Sequence, residues 1–241
     1  MELDNIYNVD CYKAIKELPD KFIDLVIIDP PYVVQPRGGG FHSKSDYMDV
    51  IYQGGMTKGF SNELLQQIIR VMKKVNLYIF CSNSQLLQIL DFFKGYYTAL
   101  LVWHKMNPIP TINNKYLSDL EYIVFIREKG VKMFNSYETS SMLFQTMVNK
   151  KDAASYNHPT IKPLYIIETL IMNSSKVDDV ILDCFMGSGT TAVACKNTNR
   201  HFIGFEINPV YYDIAQNRIK GITQIDLMEK QRGIQTIFDF I

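Results

Sequence analysis

No segment of the chain approaches the roughly eighteen uncharged apolar residues of a membrane span, and the opening Met-Glu-Leu-Asp-Asn carries no positive region leading into an apolar run. A membrane protein is therefore not expected, and a cytoplasmic setting is. Cysteine is scarce. Cys11, Cys81, Cys184 and Cys195 lie far apart in apolar surroundings with no C-x-x-C spacing, which excludes a zinc ribbon and reads as reduced core thiols. Internal repeats and low-complexity tracts are absent as well. So is any net charge: 25 Lys plus Arg balance 25 Asp plus Glu, and a nucleic-acid surface would have to come from local clusters of basic residues.

What is present is apolar surface. Hydrophobic residues make up 47% of the 241, enough for one sizeable domain over 1–241 and too few residues for a second. Short apolar runs at Ile23 to Ile28, Leu77 to Cys81, Ala99 to Trp103, Tyr122 to Ile126, Val180 to Leu182 and Phe202 to Phe205 read as buried strands. Between them, Glu63 to Lys73, Gln85 to Phe93, Leu164 to Met172, Thr190 to Asn197 and Tyr211 to Ile219 space their apolar residues three or four apart, as amphipathic helices do. The alternation predicts a doubly wound α/β fold on a mostly parallel sheet. Two stretches break it. Val33 to Phe60 is glycine-rich, with Arg37, Lys44 and Lys58, and Lys129 to Asn157 is polar and weakly periodic, with Lys150-Lys151. Long loops at strand ends are where such folds place ligands, although a plain surface loop has the same composition.

Two turns carry chemistry. In the first, Val180-Ile-Leu-Asp183-Cys-Phe-Met-Gly187-Ser-Gly189-Thr-Thr-Ala192 is a strand, a tight glycine turn and a helix start. Glycines let backbone approach a ligand, and the helix N-terminus offers unpaired N–H groups. The next apolar run ends in Glu206, placed to accept hydrogen bonds from a ribose diol. The pair reads as an adenosine-binding site. Gly187-x-Gly189-x-x-Ala192 equally satisfies the dinucleotide fingerprint, so a dinucleotide-dependent oxidoreductase stays open at this point.

In the second, Asp24-Leu-Val-Ile-Ile28 runs straight into Asp29-Pro30-Pro31-Tyr32. Two prolines stop the strand and fix the backbone, leaving a rigid corner rich in acceptors with one aromatic face. By itself this is also ordinary surface-turn chemistry with an Asx cap. After a buried strand, in a chain with a nucleoside turn, it suits a planar amine with two hydrogens to donate, such as adenine or cytosine. The amine lone pair is delocalised and poorly nucleophilic. Asp29 and the Pro30 carbonyl can draw the nitrogen toward tetrahedral geometry by accepting both N–H bonds, while Tyr32 stacks on a base flipped from the duplex.

These residues, in this order, resemble the amino-methyltransferases of DNA, in the subgroup whose catalytic turn precedes the cofactor turn. The likeness extends over nearly the whole chain. It takes in Asn8-Val-Asp10-Cys11, Leu18-Pro19-Asp20, Asp29 to Tyr32, Trp103-His-Lys105-Met-Asn107-Pro108 on the target-base side and His158-Pro-Thr160-Ile-Lys162-Pro163. It continues through Asp183 to Thr191 and Gly204-Phe-Glu206-Ile-Asn208 with Tyr211-Tyr212. One departure is Cys184, where the family often has proline.

The resemblance implies a Rossmann-like fold dependent on S-adenosylmethionine, with a permuted strand order that sets the cofactor strand beside strands from earlier in the chain. It implies a catalytic set of Asp29, Pro30, Pro31 and Tyr32. The implied cofactor set is Asp10, Cys11, His158, Thr160, Lys162, Asp183, Phe185, Gly187, Ser188, Gly189, Thr190, Thr191, Glu206 and Asn208. Thr160 and Lys162 are also what a helix start before Pro163 would show. The expected reaction is methyl transfer to adenine N6 in double-stranded DNA, the Asp form of the turn favouring adenine over cytosine N4. Methylation of RNA or of a protein amide, a DNA-binding protein without catalysis and, far behind, the dinucleotide-dependent oxidoreductase are the remaining alternatives. DNA recognition would fall to 33–60 and 129–157, with no base-reading code apparent. A bacterial, archaeal or phage source, a homodimer and a separate restriction endonuclease are further implications. No metal is expected, since a sulfonium methyl is already activated, and His104, His158 and His201 read as structural.

Overall fold

The computed structural model describes residues 1–32, 59–108, 110, 114, 116–148, 161–223 and 226. Strands β1 (Asn5–Asn8), β2 (Leu25–Ile28), β3 (Asn76–Cys81), β4 (Tyr97–Lys105), β5 (Leu120–Arg127), β6 (Leu143–Thr146), β7 (Val180–Asp183) and β8 (His201–Glu206) form one sheet in the order β1-β8-β7-β2-β3-β5-β4-β6. The helices are α1 (Cys11–Ala14), α2 (Asn62–Val71), α3 (Leu86–Phe92), α4 (Leu164–Ser174), α5 (Thr190–Asn197) and α6 (Pro209–Ile219). Among the described residues no helix is long and apolar enough to cross a membrane.

Side chains alternate across a strand, and here both alternating sets are apolar because helices cover both faces. Val26 and Ile28 of β2 join a core with Leu64, Leu65 and Ile68 of α2 and Ile89 of α3. Leu25 and Ile27 face the other way, into a core with Ile166, Ile167, Leu170 and Ile171 of α4, Ala192 and Cys195 of α5 and Ala215 of α6. This is the doubly wound α/β architecture expected from the alternating runs. Local chemistry agrees with the helix starts: the Ser61 hydroxyl accepts from Leu64 N–H at 3.3 Å, and Asn208, followed by Pro209, caps Val210 N–H at 2.9 Å.

The sheet is mostly parallel, and β7 lies between β8 and β2, so the strand of the glycine turn is flanked on one side by a strand from early in the chain. One apolar run departs from the parallel expectation, and one strand forms where none was expected. β5 runs antiparallel to both β3 and β4, because β4 and β5 are consecutive and neighbours rather than separated by a crossover helix. The stretch 129–157, read as irregular, contains β6, a four-residue edge strand on β4 whose mixed burial leaves little periodic signal. Residues 33–58 and 149–160 lie outside the described set, so the proposed recognition loops are seen only in part.

Candidate active site

The reversal of β5 has a direct effect on chemistry. In a parallel sheet the carboxyl ends of β7, β2 and β3 share one edge, and the antiparallel β5 brings its amino end to that edge, with Tyr122 opposite Cys81 and Glu121 opposite Trp103. Asp29 follows β2, Asp183 ends β7, Glu121 is the second residue of β5 and Lys105 ends β4. Four titratable side chains are therefore brought to that edge by four strands.

Asp29 is held on both oxygens. Its Oδ1 accepts from the Tyr32 hydroxyl at 3.0 Å and its Oδ2 from Lys162 Nζ at 2.6 Å. The Tyr32 hydroxyl also lies 2.8 Å from Glu121 Oε1, so one phenolic proton serves two carboxylates. Lys162 reaches the same Glu121 oxygen at 2.8 Å, and Lys105 reaches the other at 2.8 Å. The side chains of Glu121 and Lys162 are only 6% and 11% exposed, a setting in which charges persist because each has opposite partners at contact distance. The Lys162 ammonium lies 5.6 Å from the Tyr32 ring centre and 5.3 Å from that of Phe80, and Gln85 Nε2 donates to the Pro31 carbonyl at 3.0 Å, bracing the proline corner.

The electrostatics divide the two carboxylates. Burial pushes the Asp29 carboxyl above its usual range, opposed by Lys162 and reinforced by Glu121. Burial acts on Glu121 in the same sense, but there the Lys162 and Lys105 ammonium groups outweigh it and hold the carboxyl down at about 2. For Lys162 burial opposes the charged form, and Asp29 and Glu121 overcome it and raise the pKa. Tyr32 is raised too, by burial and then by the two carboxylates, so it remains a neutral donor.

On the adjacent strand the glycine turn is closed by its own side chains. Gly187 and Gly189 have φ of 53° and 79°, a region that side chains with a Cβ seldom adopt. Asp183 accepts from Phe185 N–H at 2.9 Å and from the Thr191 hydroxyl at 2.6 Å. Glu206 accepts from Gly187 N–H at 2.7 Å and Asn208 N–H at 2.8 Å, which ties the turn to the end of β8. Burial raises the Asp183 carboxyl to about 7 and lifts Glu206 above its usual range. Ser188 and Thr190 are buried and receive hydrogen bonds from Arg218 of α6, the shortest at 2.7 Å. Asp10 follows β1, whose Asn8 pairs with Glu206, and caps α1 through Tyr12 N–H at 2.9 Å, with Cys11 buried behind it.

The structure thus gathers Asp29, Pro30, Pro31, Tyr32 and Lys162 at one corner. Asp10, Cys11, Asp183, Phe185, Gly187, Ser188, Gly189, Thr190, Thr191, Glu206 and Asn208 lie around the neighbouring turn. Lys162, expected in the cofactor set, directs its ammonium to the Asp29 corner. His158 and Thr160 fall outside the described residues. His201 pairs with Asp4 at 2.8 Å, and His104 lies 3.2 Å from Gln145 and 3.7 Å from Asp119.

Comparison with known proteins matches residues 23–217 to the DNA methylase family of N6 and N4 type. The chain belongs to that family. This methylase is 27% identical to the type II methyltransferase M.HinfI of Haemophilus influenzae over 91% of the chain and 69% of the relative. It is 27% identical to M2.LlaDCHI of Lactococcus lactis subsp. cremoris over 90% of each. Among solved structures, the M1.HpyAVI–SAM complex superposes with a TM-score of 0.65 at 26% identity, covering 89% of this chain and 98% of that one. The cytosine-N4-specific PvuII DNA methyltransferase, at 16% identity and a TM-score of 0.69 over 89% of this chain and 85% of that one, shares the fold.

Sequence reasoning missed Glu121, Gln85 and Arg218 in this methylase. Glu121 had a faint signal, a lone acid at the head of the apolar run Tyr122 to Ile126, but its meaning depends on the strand's direction, which the run does not encode.

Proposed function

We propose that this chain is a site-specific DNA methyltransferase that transfers a methyl group from S-adenosylmethionine to the N6 amine of adenine in duplex DNA. One observation carries the reading: the Asp29 corner and the Gly187-Gly189 turn end neighbouring parallel strands, β2 and β7, so an amine held by one faces a ligand held by the other. Two features fit the cofactor. Positive φ at Gly187 and Gly189 keeps side-chain bulk off the turn, and Asp183 and Glu206, with two hydrogen bonds each, retain lone pairs for hydroxyl and ammonium donors. The solved relative M1.HpyAVI holds the same cofactor.

When bound, the cofactor supplies a methyl group on a sulfonium that accepts a nucleophile directly. Asp29 and the Pro30 carbonyl accept the two N–H bonds of the flipped base, which localises the nitrogen lone pair and aims it toward the glycine turn. Tyr32 provides the stacking face. The carboxylate form of this turn favours adenine over cytosine. Because the curated relatives are type II methyltransferases, a separate restriction endonuclease is the expected companion; a homodimer is the form the family resemblance implies. The test is incubation of the purified chain with mixed-sequence duplex DNA and methyl-labelled S-adenosylmethionine, then nucleoside digestion and mass analysis. N6-methyladenine is the expected product. N4-methylcytosine would overturn the choice of base, and DNA without label would overturn the reading.

A further inference from the structure

Asp29 is the stronger acceptor for an amine while ionised, because protonation turns one of its two oxygens into a donor and leaves only a neutral carbonyl oxygen to accept. Yet the site works against ionisation: Asp29 is partly buried, and a second carboxylate, Glu121, shares the Tyr32 hydroxyl with it. The groups that face it are Tyr32 from its own corner, Glu121 from β5, Lys105 from β4 acting through Glu121, Asp183 and Cys81 from the ends of β7 and β3, and Lys162 ahead of α4. Of these, Lys162 is the cation in contact with Asp29, and Glu121 fixes where it stands.

Resting on the methyltransferase reading above, we propose that Lys162 and Glu121 are positioning residues of the transfer. Lys162 keeps Asp29 ionised and in place, and Glu121, anchored by Lys105, holds Lys162 and Tyr32 against it. Three geometric facts carry this. Lys162 Nζ is within 2.8 Å of both carboxylates, the Glu121 side chain is 6% exposed with both oxygens engaged by ammonium groups, and Lys162 and Tyr32 take different oxygens of Asp29. Each Asp29 oxygen keeps a lone pair for the incoming amine. Among the described residues the contacting cluster holds two carboxylates and two ammonium groups, and loss of either charge type has an effect of opposite sign on Asp29.

That opposition supplies the test. Initial rates of DNA methylation by the full chain are measured across pH for wild type, K162M, K162R and E121Q, alongside a carbon-13 titration of the Asp29 carboxyl. In K162M the acid limb of kcat and the Asp29 midpoint move up by about one pH unit or more, and K162R returns them toward wild type. In E121Q both move down, because a negative neighbour is gone while the Gln amide oxygen still accepts from Lys162 and Tyr32 and keeps them against Asp29. A framework role alone would reduce rates with unmoved limbs, and unmoved limbs overturn the proposal. Should K162M not fold, E121Q carries the test, and an upward move there overturns it equally. Wild type that leaves DNA unlabelled would overturn the underlying reading, whereas labelled DNA with unmoved limbs would overturn this inference alone.

Discussion

The hydroxyl of Tyr32 sits 2.8 Å from Glu121, a residue 89 positions away that no motif includes. The ring therefore has two separable parts: a face that can stack on a base, and an O–H that is committed to carboxylates. Tyr32→Phe keeps the first and removes the second. Loss of a hydrogen bond to charged groups, about 1.5–3 kcal/mol, should lower kcat by roughly tenfold or more with little change in KM for DNA. Tyr32→Ala should raise that KM as well, and steady-state kinetics on duplex DNA separates the two.

Asp29→Ala should abolish methyl transfer, by at least about a hundredfold, and leave cofactor affinity nearly unchanged, because the carboxylate belongs to the corner after β2 and the glycine turn belongs to β7. Calorimetric titration with S-adenosylmethionine beside the activity assay checks both halves. Normal turnover would refute the assignment of the corner.

At Gly189 the backbone is left-handed, with φ of 79°, and an added Cβ would lie 3.0 Å from Ala215 Cβ and 3.1 Å from its Cα on α6. Neither neighbour is the far end of a flexible side chain. Gly189→Ala should cost about 1–3 kcal/mol of stability and weaken cofactor binding, read as a lower Tm and a higher Kd.

Asp183 is buried, and its carboxyl is raised to about 7 by that burial. An acid whose folded pKa lies above its unfolded value, about 3.9, contributes stability that is complete below pH 4 and is lost as pH rises toward 7. The loss is on the order of 1 kcal/mol per pH unit over that interval. Asp183→Asn does not titrate, so its Tm relative to wild type should climb between pH 4 and 7 and then level off. A constant difference across that range would contradict the burial argument.

Much of this was legible in the chain because two signals are local. Apolar runs such as Leu25 to Ile28 mark strands covered on both faces, and Gly187 and Gly189 mark a turn that needs positive φ. Asp29 and Tyr32 were legible for the same reason, since the prolines between them fix their relation within four residues. Partners set by the sheet were not. Glu121 reaches Tyr32 and Lys162 only because β5 runs backwards between β3 and β4, and Arg218 reaches Ser188 only because α6 folds back over the glycine turn. Lys162 lay in a recognised segment, but its segment did not say toward which of two adjacent turns the ammonium points.

The adjacency of β2 and β7 has one more consequence. Strands next to one another stand about 4.8 Å apart whatever length of chain joins them. The two halves of the site, separated by some hundred and fifty residues in the chain, are kept in step by hydrogen bonds between Leu25 to Val26 and Ile181 to Leu182. The pairing of the two turns is thereby indifferent to which strand is synthesised first. A protein carrying these two turns in the reverse order along its chain could assemble the same reaction centre, and a linear alignment would be blind to the kinship.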